Sequence, residues 1–115
     1  MSNTLSFDDA RSKARQQFGD FVVSTADGTD VSLRSPVRMP KEERRKLQEL
    51  QNELPNLNEA GQIDEAVSRI YDMFRVAAED SAAVEKMIAD LENEDLATTM
   101  VILEEYGKVS QAGEA

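Results

Sequence analysis

Apolar residues along this chain first follow a helical spacing, then alternate, and then return to helical spacing for the remainder. Phe7, Ala10, Ala14 and Phe18 recur at turns of a helix. Ser6 is placed to cap it, Asp8 and Asp9 sit in the first turn where the helix dipole favours negative charge, and Gly19 follows as a stop. The spacing predicts a helix over 7–18 with so thin an apolar face that it must dock on something to persist. From Phe21 the period becomes two. Phe21-Val-Val-Ser-Thr and Asp30-Val-Ser-Leu-Arg flank Ala26-Asp27-Gly28-Thr29, and β-branched residues either side of Asp-Gly predict a hairpin. Alternation places Phe21, Val23, Val31 and Leu33 on one face and Val22, Ser24, Ser32 and Arg34 on the other. Two strands alone are marginal in water, so the ribbon either lies on its own helices or pairs with another chain.

Pro36 and Pro40 bracket an extended connector, and Pro40 suits the first turn of the next helix, where a missing N–H costs nothing. Leu47, Leu50 and Leu54 stripe a helix over 41–54 that Pro55 ends; the stripe serves either an internal core or a self-association seam. The polar stretch 56–62 reads as a mobile loop. A helix over 63–78 carries Ile63, Val67, Ile70, Tyr71 and Phe74, the clearest core stripe in the chain. Ser81 opens a short helix with Val84, Met87, Ile88 and Leu91, and Asn93 opens another with Leu96, Met100, Leu103 and Tyr106, widened by Val101 and Ile102. Gly107 breaks the pattern. The predicted fold is a single mainly α (α+β) domain over 1–115: a short N-terminal helix (1–19), a β-hairpin (20–36), a compact bundle of about four helices (40–107) and a flexible tail (108–115).

Charge divides the chain at the same join. Residues 1–46 carry nine Lys/Arg and seven Asp/Glu, a net of +2, whereas 47–115 carry four and sixteen, a net of −12. A balance of −10 argues against nucleic acid, whose binding is driven by cations that displace phosphate counterions. The cluster Arg34, Arg38, Lys41, Arg44, Arg45, Lys46 is the local exception, diluted by Glu42 and Glu43 and without an aromatic to stack a base. The N-terminus has neither the basic nor the apolar region of a secretory signal, and no apolar run approaches the roughly 18 residues of a membrane span.

Reacting groups are missing. There is no Cys and no His, hence no thiolate or imidazole metal ligand and no base to activate Ser24, Ser32 or Ser35. Carboxylates alone could hold a hard cation, but no stretch has the spacing of a calcium loop. Adjacent acids such as Asp64/Glu65 and Glu104/Glu105 point about 100° apart on a helix, so they do not converge on one substrate atom. No catalytic, cofactor or metal residue is assigned. Such a chain is built to touch other proteins.

Phe21, then Asp27-Gly28-Thr29-x-Val31-x-Leu33, then Pro36-Val-Arg-Met-Pro-Lys-Glu-Glu-Arg44 and Leu47, then Asp95-Leu-Ala97 and Tyr106, ending in Gln111-Ala-Gly-Glu-Ala115, resembles the tail assembly chaperones of long-tailed, siphovirus-type phages that infect actinobacteria. The pieces are individually common, and it is their order over nearly the whole chain that carries the resemblance. It implies a non-enzymatic factor that keeps the tape measure protein soluble, helps major tail tube protein subunits assemble around it in the host cytoplasm, and is absent from the mature virion. It also implies a partner in a frameshift-extended form of the chain itself, for which the weakly anchored C-terminus suits a junction.

The residues make physical sense of that role. An acidic chaperone covers apolar stripes of a helical client while its charge keeps the complex soluble. Met73, Met87 and Met100 offer adaptable apolar surface, or plain core packing. The expected contact surface is the ribbon face, Phe21, Val23, Val31, Leu33 and Arg34, together with the basic start of the next helix, Arg38, Lys41, Arg44 and Arg45; the acidic helices form a second one. A homo-oligomer fits as well. The competing class is a small acidic regulator that mimics a nucleic acid: Asp64, Asp72 and Glu79 follow a helical spacing, although Arg69 and Arg75 interrupt it.

Overall fold

In the structure, a computed structural model that describes residues 4–54 and 60–112, helix α1 (Phe7–Gln17) leads into an antiparallel hairpin of β1 (Phe21–Ser24) and β2 (Asp30–Leu33). Helices α2 (Lys41–Asn52), α3 (Ile63–Ala77), α4 (Ser81–Leu91) and α5 (Leu96–Ala112) follow. The mainly α architecture with one hairpin agrees with the hydrophobic spacing.

The hairpin pairs Phe21 with Leu33, Val22 with Ser32, Val23 with Val31 and Ser24 with Asp30. At its tip the Gly28 N–H donates to the Thr25 carbonyl (3.0 Å) and the Thr25 N–H to the Thr29 carbonyl (2.8 Å), closing a three-residue loop. Gly28 has φ +88°, the left-handed position that such a loop requires and only glycine occupies cheaply. Asp27 accepts from the Thr25 hydroxyl (2.6 Å) and the Thr29 N–H (3.2 Å), and its carboxylate also pairs with Lys86 of α4. The turn is thereby tethered to the bundle.

The ribbon lies on its own helices. Val31 and Leu33 are 0% exposed, in one core with Met39, Leu47 and Leu50, with Ile70, Met73, Phe74 and Ala77 of α3, and with Val84, Met87, Ile88 and Leu91 of α4. Each such side chain contributes roughly 1.5–3 kcal/mol by leaving water. Met73 and Met87 are therefore core, and Leu47 and Leu50 serve the internal core and not a seam between copies. The outer edge of β2 is covered too: the Arg34 N–H donates to the Ala77 carbonyl (2.9 Å) and the Glu79 N–H to the Ser32 carbonyl (3.1 Å), so residues 77–79 lie alongside it as a short third partner.

Several element ends differ from the sequence reading. Residues Pro36–Arg38 form a 3-10 turn, which swings Met39 into the core, where an extended connector was expected. Pro40 sits one place before α2 and not in its first turn. Asp80, not Ser81, caps α4, accepting from the N–H groups of Ala82 (2.9 Å) and Ala83 (3.2 Å). Asp95, not Asn93, caps α5, accepting from the Thr98 N–H (3.0 Å). Asn93 instead closes α4, donating to the Ala89 carbonyl (3.2 Å). Gly107 does not end α5, whose backbone stays helical to Ala112. Glycine stops a helix by turning left-handed, and among the described residues only Gly28 does so. Of the expected 56–62 loop, Ala60–Gln62 is a 3-10 turn and the rest lies outside the described residues, as do residues 113–115 of the expected tail.

Helix α1 forms where predicted, with the Ser6 hydroxyl accepting from the Asp9 N–H (3.0 Å), yet it buries no residue. Phe7 is 80% exposed, and a cleft of about 580 Å³ separates Arg11, Ala14 and Arg15 from Val37, Ala78 and Glu79. The docking that so thin a face calls for is incomplete within the chain.

Candidate partner-binding surfaces

The nine residues expected to form one contact surface divide into three groups. Arg34 and Arg38 are internal. The Arg34 Nε donates to the Ala77 carbonyl (3.1 Å), and its Nη2 donates to the Val76 carbonyl (2.9 Å) and the Glu43 carboxylate (2.8 Å). A cation on the last carbonyls of α3 complements the negative end of that helix, and the same guanidinium ties in the first turn of α2. The Arg34 carbonyl in turn accepts from the Tyr106 hydroxyl (2.5 Å), which secures α5. Arg38 pairs with Asp20 and, at 3.3 Å, with Glu79. Burial raises the Asp20 carboxyl above the ordinary carboxylate range against the pull of Arg38, with Glu79 adding repulsion. Both arginines hold the hairpin to the helices, so neither is free to capture a partner.

The hairpin residues form the second group. Val31 and Leu33 lie wholly inside, and Phe21 and Val23 are half-buried, Phe21 lying against the Tyr106 ring with centroids 6.4 Å apart. A partner could reach Val31 or Leu33 only by opening the fold. The third group, Lys41, Arg44 and Arg45, lies on the exposed face of α2 with Lys46. Arg45 pairs with Glu42 at 2.7 Å, while Lys41, Arg44 and Lys46 make no ion pair among the described residues. The basic start of α2 is the part of the expected surface that is available.

Two further surfaces emerge from packing. Helix α5 turns Thr99 and Tyr106 inward but leaves Leu96, Met100 and Leu103 only half-covered along an adjacent row at i, i+4 and i+7, and Val101 is 56% exposed. Gly107 continues that row, and a methyl group added there would meet nothing within 4 Å. Met100 and Leu103 still lean on the core, so the row is a partly covered apolar margin, with exposed Val101 and Glu104 beside it. The other surface is a groove of about 270 Å³ between the start of α3 and the α4–α5 turn. Ile63, Val67, Tyr71, Leu91 and Leu96 form its floor, and Asp64, Glu92, Glu94 and Asp95 its rim. Asp95 is held below the ordinary carboxylate range, chiefly by the Thr98 N–H and then by its hydroxyl. Asp64, Glu92 and Glu94 make no ion pair among the described residues. The sequence signal for this groove was faint: half-apolar helix starts next to acids, in segments about thirty positions apart.

No candidate metal cluster of three or more acids occurs among the described residues, and no described helix is long and apolar enough to cross a membrane. What these surfaces offer is partly covered apolar area bordered by charge.

No curated protein and no solved structure matches this chain. A family model described as mycobacteriophage tail assembly protein matches it across residues 1–115, and the chain belongs to that family.

Proposed function

We propose that this phage tail assembly protein is a chaperone that acts by binding, covering apolar helical stretches of the tape measure protein and keeping it soluble while major tail tube protein subunits assemble around it. In this reading it works in the host cytoplasm, alongside a frameshift-extended form of itself, and leaves before the virion is complete. The observation that carries the proposal is the apolar margin of α5, partly covered Leu96, Met100 and Leu103 with exposed Val101 beside them, on an otherwise strongly acidic protein. A client helix laid along that row buries its own apolar stripe, Met100 adapts to varied side chains, and the net charge of −10 keeps neighbouring complexes apart. A nucleic-acid mimic is less well served, because it needs a regular array of free carboxylates. Instead Arg69 bonds Glu53 (2.6 Å), and Arg75 bonds Glu85 (2.7 Å) and Asp72 (2.8 Å).

Co-expression with the tape measure protein, followed by affinity capture and size-exclusion chromatography with light scattering, tests the proposal. The expected result is a soluble complex with several copies per client chain, and its weakening on Val101→Glu, an exposed position, at unchanged circular dichroism. A wild-type chain that captures nothing while the tape measure protein precipitates overturns it.

A further inference from the structure

A basic cluster and an acid-rimmed groove sit at opposite ends of α3. Arg34 bridges Glu43 of α2 to the last carbonyls of α3, so the basic start of α2 lies at the C-terminal end of α3. Arg69 bonds Glu53 near the other end of α2, so the two helices run antiparallel. The acid-rimmed groove is built on Ile63, Asp64 and Val67 at the start of α3. Fifteen residues of helix put about 20 Å between the two ends. That is at least twice the Debye length of roughly 8–10 Å near physiological salt, so the two ends of one molecule do not neutralise each other.

We infer that the groove is the seat of a second copy of this chain, which presents its basic end, Val37 with Lys41 and Arg44. Charge complementarity selects this occupant: among the described residues Asp64, Glu92 and Glu94 on the rim make no ion pair, Lys41 and Arg44 on one flank of α2 make none either, and Val37, 45% exposed in the turn that leads into α2, matches the apolar floor. The contact joins two different patches, so a joined pair keeps one free groove and one free basic end, and association proceeds head to tail without closing a two-fold dimer. A single turn of helix plus one valine covers well under the roughly 1,200 Å² of a stable interface, so the contact is weak in free solution and strengthens when copies are held side by side. It does not depend on the tape measure reading, because it is measured on the protein alone.

Sedimentation velocity on the full chain tests it. At roughly 100 mM salt, where charges more than about 10 Å apart are screened, the weight-average mass rises beyond twofold over the 12.8 kDa monomer as protein goes from about 10 µM to about 1 mM, and at roughly 500 mM salt it returns to the monomer. Lys41→Glu with Arg44→Glu, and separately Asp64→Lys with Glu92→Lys, each give a monomer; mixing the two variants restores association, because each then offers the complement of the other. Disulfide trapping adds a readout that leaves the charges alone, since the chain has no Cys: Val37→Cys and Val67→Cys chains, mixed and oxidised, give mixed dimers in excess of either homodimer. A wild-type monomer at every concentration, association that stops at a dimer, or a folded variant mixture that stays monomeric overturns the inference.

Discussion

The hairpin with α2, α3 and α4 and the pair α1 and α5 are built from similar residues and held very differently. In the first region the apolar face of every element meets another. Phe74 is 0% exposed, β2 is bordered by 77–79, and Arg34 ties three elements together through two carbonyls and a carboxylate. In the second region α1 buries nothing, and α5 is fastened inward at Thr99 and Tyr106 while its apolar row stays half-open. In these two helices the inward anchors are few, so here stability gives way most readily.

The most severe test of that contrast compares two phenylalanines. Phe74→Ala removes a fully buried ring and is expected to cost about 3–5 kcal/mol, enough to unfold much of the protein. Phe7→Ala, at an exposed helix start, is expected to change the unfolding free energy measured in urea by less than about 0.5 kcal/mol. Similar costs for the two would show that α1 packs more firmly than the structure indicates.

The two regions also differ in how legible they were. Hairpin register followed from strict alternation and the Asp-Gly tip, because a slip of one residue would turn Val31 and Leu33 to water. The α3 stripe was equally plain, although Ala66 and Met73 proved as central as Ile70. Helix starts were less readable: Glu79-Asp80-Ser81 and Asn93-Glu94-Asp95 each offer two capping side chains, and only tertiary geometry picks the aspartate. The contact surface was hardest. Arg34 and Arg38 look like surface cations by residue type, and only the C-terminus of α3 and Asp20 explain their burial. The groove joins 63–71 to 91–99, a juxtaposition that no local pattern announces.

A milder test addresses the hydrogen bond that ties α5 to Arg34. Tyr106→Phe keeps the ring against Phe21 but leaves the Arg34 carbonyl without that donor, an expected loss of about 1 kcal/mol. Hydrogen exchange should localise it: amides of α5 exchange faster, while those of α3 change only by the loss in global stability. Uniform acceleration across all helices would mean that α5 belongs to the same cooperative unit as the core.

The smallest effect expected is on pH dependence, and its sign follows from the carboxylates. Asp27 is held below its ordinary range first by Lys86 and then by Thr25 and Thr29, Asp95 by Thr98, and Glu85 by Arg75. A carboxylate lowered in the folded state adds stability that is present above its unfolded pKa, near 4, and is lost as pH falls through the folded value. Asp20, raised by burial, works oppositely: its contribution is present below its unfolded pKa and lost as pH rises through the folded one, so on acidification it offsets part of the loss. With no His in the chain, no side chain of ordinary pKa titrates between about pH 6 and 8, and the urea midpoint should be flat there and decline below about pH 4. Asp27→Asn, which weakens the tether from the hairpin tip to α4, should lower the plateau slightly and make the acid decline shallower. An unchanged acid limb in that variant would show that the tether between hairpin and bundle does not contribute to folding, and the contrast between the two regions would then rest on the apolar core and Arg34 alone.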